Sequence, residues 1–124
     1  LGALKRSVDP VDGLASLTRT HVRFHCQRAA EAAITDRELN TVPIKIRKRL
    51  VGKRDMYEGL WTDRIAEGVR RGLFKVEDEH VTRHAILTMC SQVDSWYDAE
   101  GRYTVDELAA MYGRIVLRIC GIAR

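Results

Sequence analysis

Four histidines fall into two pairs, His21 with His25 and His80 with His84, each spaced H-x-x-x-H. On a helix that spacing puts both imidazoles on one face, and two such faces meeting would offer four nitrogens to a tetrahedral zinc ion. No zincin H-E-x-x-H and no cysteine pair accompanies them, and His80, beside Glu79, reads as a solvated residue of a first helical turn. His21 and His25 are therefore expected as polar groups lining, or hydrogen-bonded within, a mostly apolar interior. No metal and no cofactor is expected.

The second chemical feature is "KIRKRLVGKR", residues 45–54, with six positive charges in ten positions. Such density suits phosphate contact, since Lys and Arg displace the counterions of a polyanion. Wound into a helix, Lys45, Lys48 and Arg49 fall on one side with Arg47 and Arg54 spread around it, while Ile46 and Leu50 are expected to face the core. That is the solvated back of an amphipathic helix. Neither a short recognition helix nor an interleaved aromatic platform accompanies it, so direct DNA reading by these residues is not expected. The same charges could stand at a pocket mouth and draw in an anionic ligand.

Catalysis finds little to work with. There is no G-x-S-x-G elbow, no phosphate-cradling glycine loop, and no cysteine beside a candidate base. Asp94 and Asp98 supply carboxylates, but Glu77, Asp78 and Glu79 read as negative charge at a helix start, where the macrodipole favours it. The chain is not expected to be an enzyme.

The elements that must position these groups are helices. The 124 residues are 45% hydrophobic and 31% charged, with a net charge of +4, the make-up of a single soluble domain able to bury a core without staples. Cys26, Cys90 and Cys120 lie far apart among apolar neighbours and read as reduced and buried, which points to the cytoplasm. No apolar run approaches a membrane span. The chain opens on "LGALKRS" without an initiator Met and reads as part of a longer protein.

Asp9 before Pro10 is an N-cap followed by a first-turn proline, and Thr41 stands similarly ahead of Pro43. Val11, Leu14, Leu17, His21, Phe24 and His25 then predict an amphipathic helix over 10–28. A shorter helix is expected over 29–38. Tyr57, Trp61, Ile65 and Val69 share one face of a third helix over 44–71, which Gly72 closes. A fourth, over 78–97, is expected to bury Val81, Ala85, Met89, Val93 and Trp96. Gly101 is expected at positive φ in the turn "DAEGRYT", and Thr104 with Glu107 forms a capping box for the last helix. Val105, Leu108, Tyr112, Ile115, Val116 and Ile119 stripe that helix, while Met111, Leu117 and Ile122 widen its apolar surface beyond what docking on one domain needs. The surplus suggests a partner subunit.

"LWTDRIAEGVRRGLF" leading through "SWYDAEGRYTVDELA" to "MYGRIVLRICG" resembles the C-terminal effector-binding and dimerisation domain of a TetR-type transcriptional regulator, and the likeness covers nearly all of residues 1–124. The resemblance implies an all-α bundle of about five to six helices, following a helix-turn-helix DNA-binding domain that this chain lacks. It implies a homodimer whose four-helix bundle comes from 78–97 and 104–122 of each subunit, with Trp96, Leu108, Met111, Tyr112, Ile115 and Ile119 at the interface. It implies an effector pocket bounded by 14–28, 57–69 and 81–96, lined by Phe24, His25, Tyr57, Trp61, Met89 and Val93.

The branch it is most similar to answers to acyl-CoA thioesters or related lipids. That makes a small hydrophobic or acyl-CoA-like effector the expected partner, with Lys45, Arg47, Lys48, Arg49, Lys53 or Arg54 meeting the head group. Operator DNA is a partner only through the missing domain, and the membrane is not one. One departure bears on the ligand: relatives often carry an aromatic just before "WY", where this chain has the polar Gln92 and Asp94. The rival reading is a helical protein-interaction module whose pocket is merely core.

Overall fold

The computed structural model describes residues 9–27 and 44–122. Among these the elements are α1 (Pro10–Gln27), α2 (Ile44–Arg70), α3 (Glu79–Ser91), a 3-10 turn (Gln92–Ser95) and α4 (Val105–Ile119), with no strand. The domain is all-α, as expected. The helix expected over 29–38 and the Thr41–Pro43 cap lie outside the described residues.

Helix starts follow the side chains that satisfy otherwise unpaired N–H groups. Asp9 Oδ1 accepts from the Val11 N–H at 2.9 Å, and Asp78 Oδ1 from the Val81 N–H at 2.8 Å. Thr104 and Glu107 form the full capping box of α4. Gly72, at φ 74°, closes α2, and Gly121, at φ 95°, follows α4. Gly101 does not take positive φ. What favours glycine there is space, since a Cβ would come 3.0 Å from the Asp98 carbonyl oxygen.

α1 is the central helix: it packs along α4 on one side and against α2, α3 and the 3-10 turn on others. Its buried residues, Leu14, Leu17, Thr18, His21, Val22 and His25 among them, therefore cover more than one face. Against it lie Trp61 and Ile65 of α2, Ile86 and Cys90 of α3, Val93 of the turn, and Leu108, Tyr112 and Val116 of α4. The face shared by Tyr57, Trp61, Ile65 and Val69 is the one α2 turns inward, with Trp61 and Ile65 fully buried and the other two packed at the edge.

Three expectations about burial are corrected. α3 turns Arg83, Ile86 and Cys90 inward, leaving Val81 and Ala85 exposed and Met89 only partly buried. The α-helix also ends at Ser91, and the tighter 3-10 turn brings Val93 into the core while leaving Trp96 57% exposed. On α4 the core stripe runs through Leu108, Ala109, Tyr112, Val116 and Leu117, so Ile115 and Ile119 stand outside it. Ile46 and Leu50 are exposed, not core: the first turns of α2 reach beyond the segment that packs on α1.

Two glycine and loop features fasten the bundle's end. The Leu73 and Phe74 N–H groups both donate to the Gly68 carbonyl, at 2.8 and 3.0 Å, which folds the buried Phe74 ring back over Gly68. Lys75 N–H donates to the Cys120 carbonyl at 2.9 Å, tying the exit of α2 to the end of α4.

Candidate functional site

α1, α2 and α3 line a half-open cavity of about 550 Å³, within the range of small-molecule sites. α1 contributes His21 and His25; α2 contributes Arg54, Tyr57 and Glu58. α3 contributes Arg83, His84, Leu87, Thr88 and Ser91, and Gln92 follows from the 3-10 turn. These α3 positions recur at three- and four-residue steps, so one face of the helix forms a wall.

His21 is the centre of the polar wall. Its Nδ1 lies 2.7 Å from the Tyr57 hydroxyl and its Nε2 2.9 Å from Ser91 Oγ. Both ring nitrogens are thus engaged. Burial first, and then the neighbouring His25, hold its pKa down to about 3, so it is neutral at physiological pH. His25 Nδ1 lies 3.0 Å from Asp94 Oδ2, and the two histidine ring centroids are 4.5 Å apart. Burial raises the Tyr57 phenol, whose ring stacks on His21 at 5.6 Å. At the other end of the wall Arg83 Nη1 meets Glu58 Oε1 at 3.3 Å.

Ser91, His21 and Tyr57 stand in the order nucleophile, base, third group, but the chemistry of a hydrolase is missing. A catalytic histidine must accept a proton near neutral pH, and the third group must stabilise the imidazolium that forms. His21 binds a proton only in strong acid, and Tyr57 is a phenol that burial keeps neutral. Thiol chemistry is no better served: burial pushes Cys90 up to about 12 and Cys120 up to about 11, far from the thiolate a nucleophile requires. The arrangement is suited to binding.

Of the residues expected to line a pocket, His25 and Tyr57 face this cavity. Trp61 and Val93 are fully buried, Met89 packs partly buried against the core, and Phe24 is 48% exposed with its ring edge against His25. Trp61 stands behind the wall, edge-on to His21 at 5.6 Å. Of the basic residues proposed for a rim, Arg54 lines the cavity while Lys45, Lys48, Arg49 and Lys53 are exposed outside its lining; of Arg47 only the backbone is described. His84 joins the wall and His80, on the same helix, is exposed. Among the described residues no group of three metal-ligating side chains converges.

Glu58, Arg83, Thr88 and Ser91 are site residues that periodicity does not reveal. Gln92 and Asp94 did carry a signal, as polar residues where an aromatic was expected; one lines the cavity and the other holds His25.

Because His21 titrates near 6.5 when unfolded and near 3 when folded, the unfolded state binds the extra proton between those values. Stability is therefore full above pH 6.5 and falls as the pH drops toward 3, by up to about 1.4 kcal/mol per pH unit from this residue. Melting temperature against pH should show this decline, and His21→Gln should flatten it. An unchanged slope in that variant would remove His21 as its source.

The family model described as tetracyclin repressor-like, C-terminal domain, matches residues 7–120. No curated protein matches the chain by sequence. Three solved structures share the fold. A bacterial regulatory protein in the TetR family from Rhodococcus RHA1 superposes with a TM-score of 0.85 at 22% identity, over 99% of this chain and 67% of that one. The TetR family transcriptional regulator PfmR from Thermus thermophilus gives 0.83 at 21%, over 99% and 66%. A transcriptional regulator of the TetR/AcrR family from Thermobifida fusca gives 0.78 at 24%, over 98% and 63%. The chain thus spans about two-thirds of the length of each.

Proposed function

The chain belongs to the tetracyclin repressor-like C-terminal domain family, and from that membership we propose that it is the ligand-sensing and dimerising half of a transcriptional repressor. The observation that carries the reading is the half-open cavity lined by α1, α2 and α3, with its hydrogen-bonded polar wall. An effector held there would touch all three helices at once and so bias their relative positions. In the complete protein a helix-turn-helix domain would precede this one and bind the operator, releasing it when the effector enters. The effector suggested by the family likeness is a small lipophilic molecule such as an acyl-CoA, its anionic part drawn to Arg54 at the cavity rim.

Dimerisation would use the apolar surface that α3, the 3-10 turn and α4 leave uncovered. Trp96 stacks on Tyr112 at 6.5 Å, and Ile115 and Ile119 continue from Tyr112 along α4 at helical spacing with 38% and 42% of their surface exposed. Met111 flanks them, partly buried, while Leu108 and Tyr112 are buried within the chain itself. Such a ridge supports that reading, since exposed apolar patches favour protein contacts.

Two measurements test the proposal. A melting-temperature panel of acyl-CoA esters and free lipids should contain members that raise the transition by mass action; a flat panel would favour the interaction-module reading. Sedimentation equilibrium should give twice the chain mass, and Ile115→Glu combined with Ile119→Glu should return it to one. These exposed positions change the stability of a single chain by only about 0.5 kcal/mol each, so loss of the dimer would not reflect unfolding. A dimer that survives both charges would place the interface elsewhere.

A further inference from the structure

We infer that the cavity is built for an elongated organic acid, its carboxylate against Arg54 and Arg83 and a neutral acceptor oxygen, above all a carbonyl, at its far end against the hydroxyls of Ser91 and Tyr57 that flank His21. The inference rests on the sensing role proposed above and specifies the chemistry of the ligand.

The two ends of the cavity differ in what they offer. Arg83 and Ser91 are eight residues apart on α3, about 12 Å along the helix axis at 1.5 Å per residue. At the first end stand two guanidinium groups and one carboxylate, Arg54, Arg83 and Glu58, a surplus of one positive charge. Arg54 forms no ion pair among the described residues. Arg83, 8% exposed, makes one long contact to Glu58 through Nη1, which leaves most of its five N–H donors unengaged. A planar carboxylate matches that fork and cancels the surplus.

At the second end the one carboxylate nearby already has a hydrogen-bond partner. Asp94 is held by His25, and His21 is neutral. What this end offers is one hydroxyl proton without a partner. The two ring nitrogens of His21 face the Tyr57 hydroxyl at 2.7 Å and Ser91 Oγ at 2.9 Å. A neutral imidazole has one N–H and one bare nitrogen, so one of these hydroxyls donates to the ring and the other accepts from it. The hydroxyl that accepts keeps its own proton, with no acceptor left within the chain of bonds. Tyr57 and Ser91 both line the cavity, and a ligand carbonyl completes the pair.

Isothermal titration with three probes separates the two ends: decanoate, its methyl ester, and the keto acid of the same length with a carbonyl one carbon from its far end. The keto acid should bind about tenfold more tightly than decanoate, the effect of one added hydrogen bond, and the ester at least about tenfold more weakly than decanoate. Ser91→Ala, a substitution favourable to helix, combined with Tyr57→Phe should bring the keto acid down to the affinity of decanoate measured in the same variant. Arg83→Lys should weaken both acids and leave the ester where it was. Binding of the ester as tight as the acid, or a keto acid that keeps its advantage over decanoate in the variant lacking both hydroxyls, overturns this inference while leaving a sensing cavity in place. Absence of binding up to about 1 mM for all three probes, and for their homologues from hexanoate to dodecanoate, overturns the inference; a flat acyl-CoA and lipid panel in addition would remove the sensing role beneath it.

Discussion

Trp61→Ala should lower the unfolding free energy by about 3 to 5 kcal/mol, the range for removing a fully buried indole. Trp61 has none of its surface exposed and meets both the His21 and Tyr57 rings edge-on, at 5.6 and 6.3 Å. A domain of this size is stable by only about 5 to 15 kcal/mol, so the loss would take about a fifth of the total or more. It would also remove the back of the cavity wall. Trp61→Phe keeps much of the packing and should recover more than half of the deficit. Denaturant titration reads both values. A loss below about 1 kcal/mol for the alanine variant would mean that the indole is not a core residue.

Gly68→Ala sets two effects of opposite sign against each other. Alanine favours a helix over glycine by about 1 kcal/mol, so on propensity alone α2 should gain. The added methyl, however, would come closer than 3.0 Å to three atoms of the Phe74 ring. That ring cannot swing away freely, because the Phe74 N–H is bonded to the Gly68 carbonyl and the side chain is buried. Overpacking of this kind costs about 1 to 3 kcal/mol and sometimes more, and three overlapped atoms put it at the upper end. A net loss of about 2 kcal/mol is expected. The partner test is Phe74→Ala: with the ring gone, Gly68→Ala should become neutral or stabilising, a coupling that a double-mutant cycle measures. A higher melting temperature for Gly68→Ala alone would refute the packing described for this corner.

Helix starts and stops were the most legible features of the sequence because they depend on near neighbours. Asp9 with Pro10, Thr104 with Glu107, and Gly72 each act within four residues of the boundary they set. The face of α2 was legible too, since Tyr57, Trp61, Ile65 and Val69 form its one apolar stripe. α3 was misread for a physical reason. It carries apolar residues on two sides, and Val81 with Ala85 reads as convincingly as Ile86 with Cys90. Which side turns inward is settled by α1 and α2, which pack against it, not by α3. Arg83 was invisible as a buried residue because arginine is rarely sheltered, and only Glu58, from another helix, makes its position tolerable.

The site was less legible than the fold. His25 and Tyr57 could be singled out as large, partly polar residues at core spacing. Ser91 could not: it is an ordinary helix-end serine until His21, seventy residues earlier, comes within 2.9 Å of it. Hydrogen-bonded chains that cross three helices leave no periodic trace in any one of them.

The bond from Lys75 to Cys120 has a mechanical meaning. It closes the backbone into a loop that carries both α3 and α4, so the two helices share one fastened base. If a molecule lodged between α1, α2 and α3 pushed α3 aside, that shared base would couple the push to the helix bearing Ile115 and Ile119.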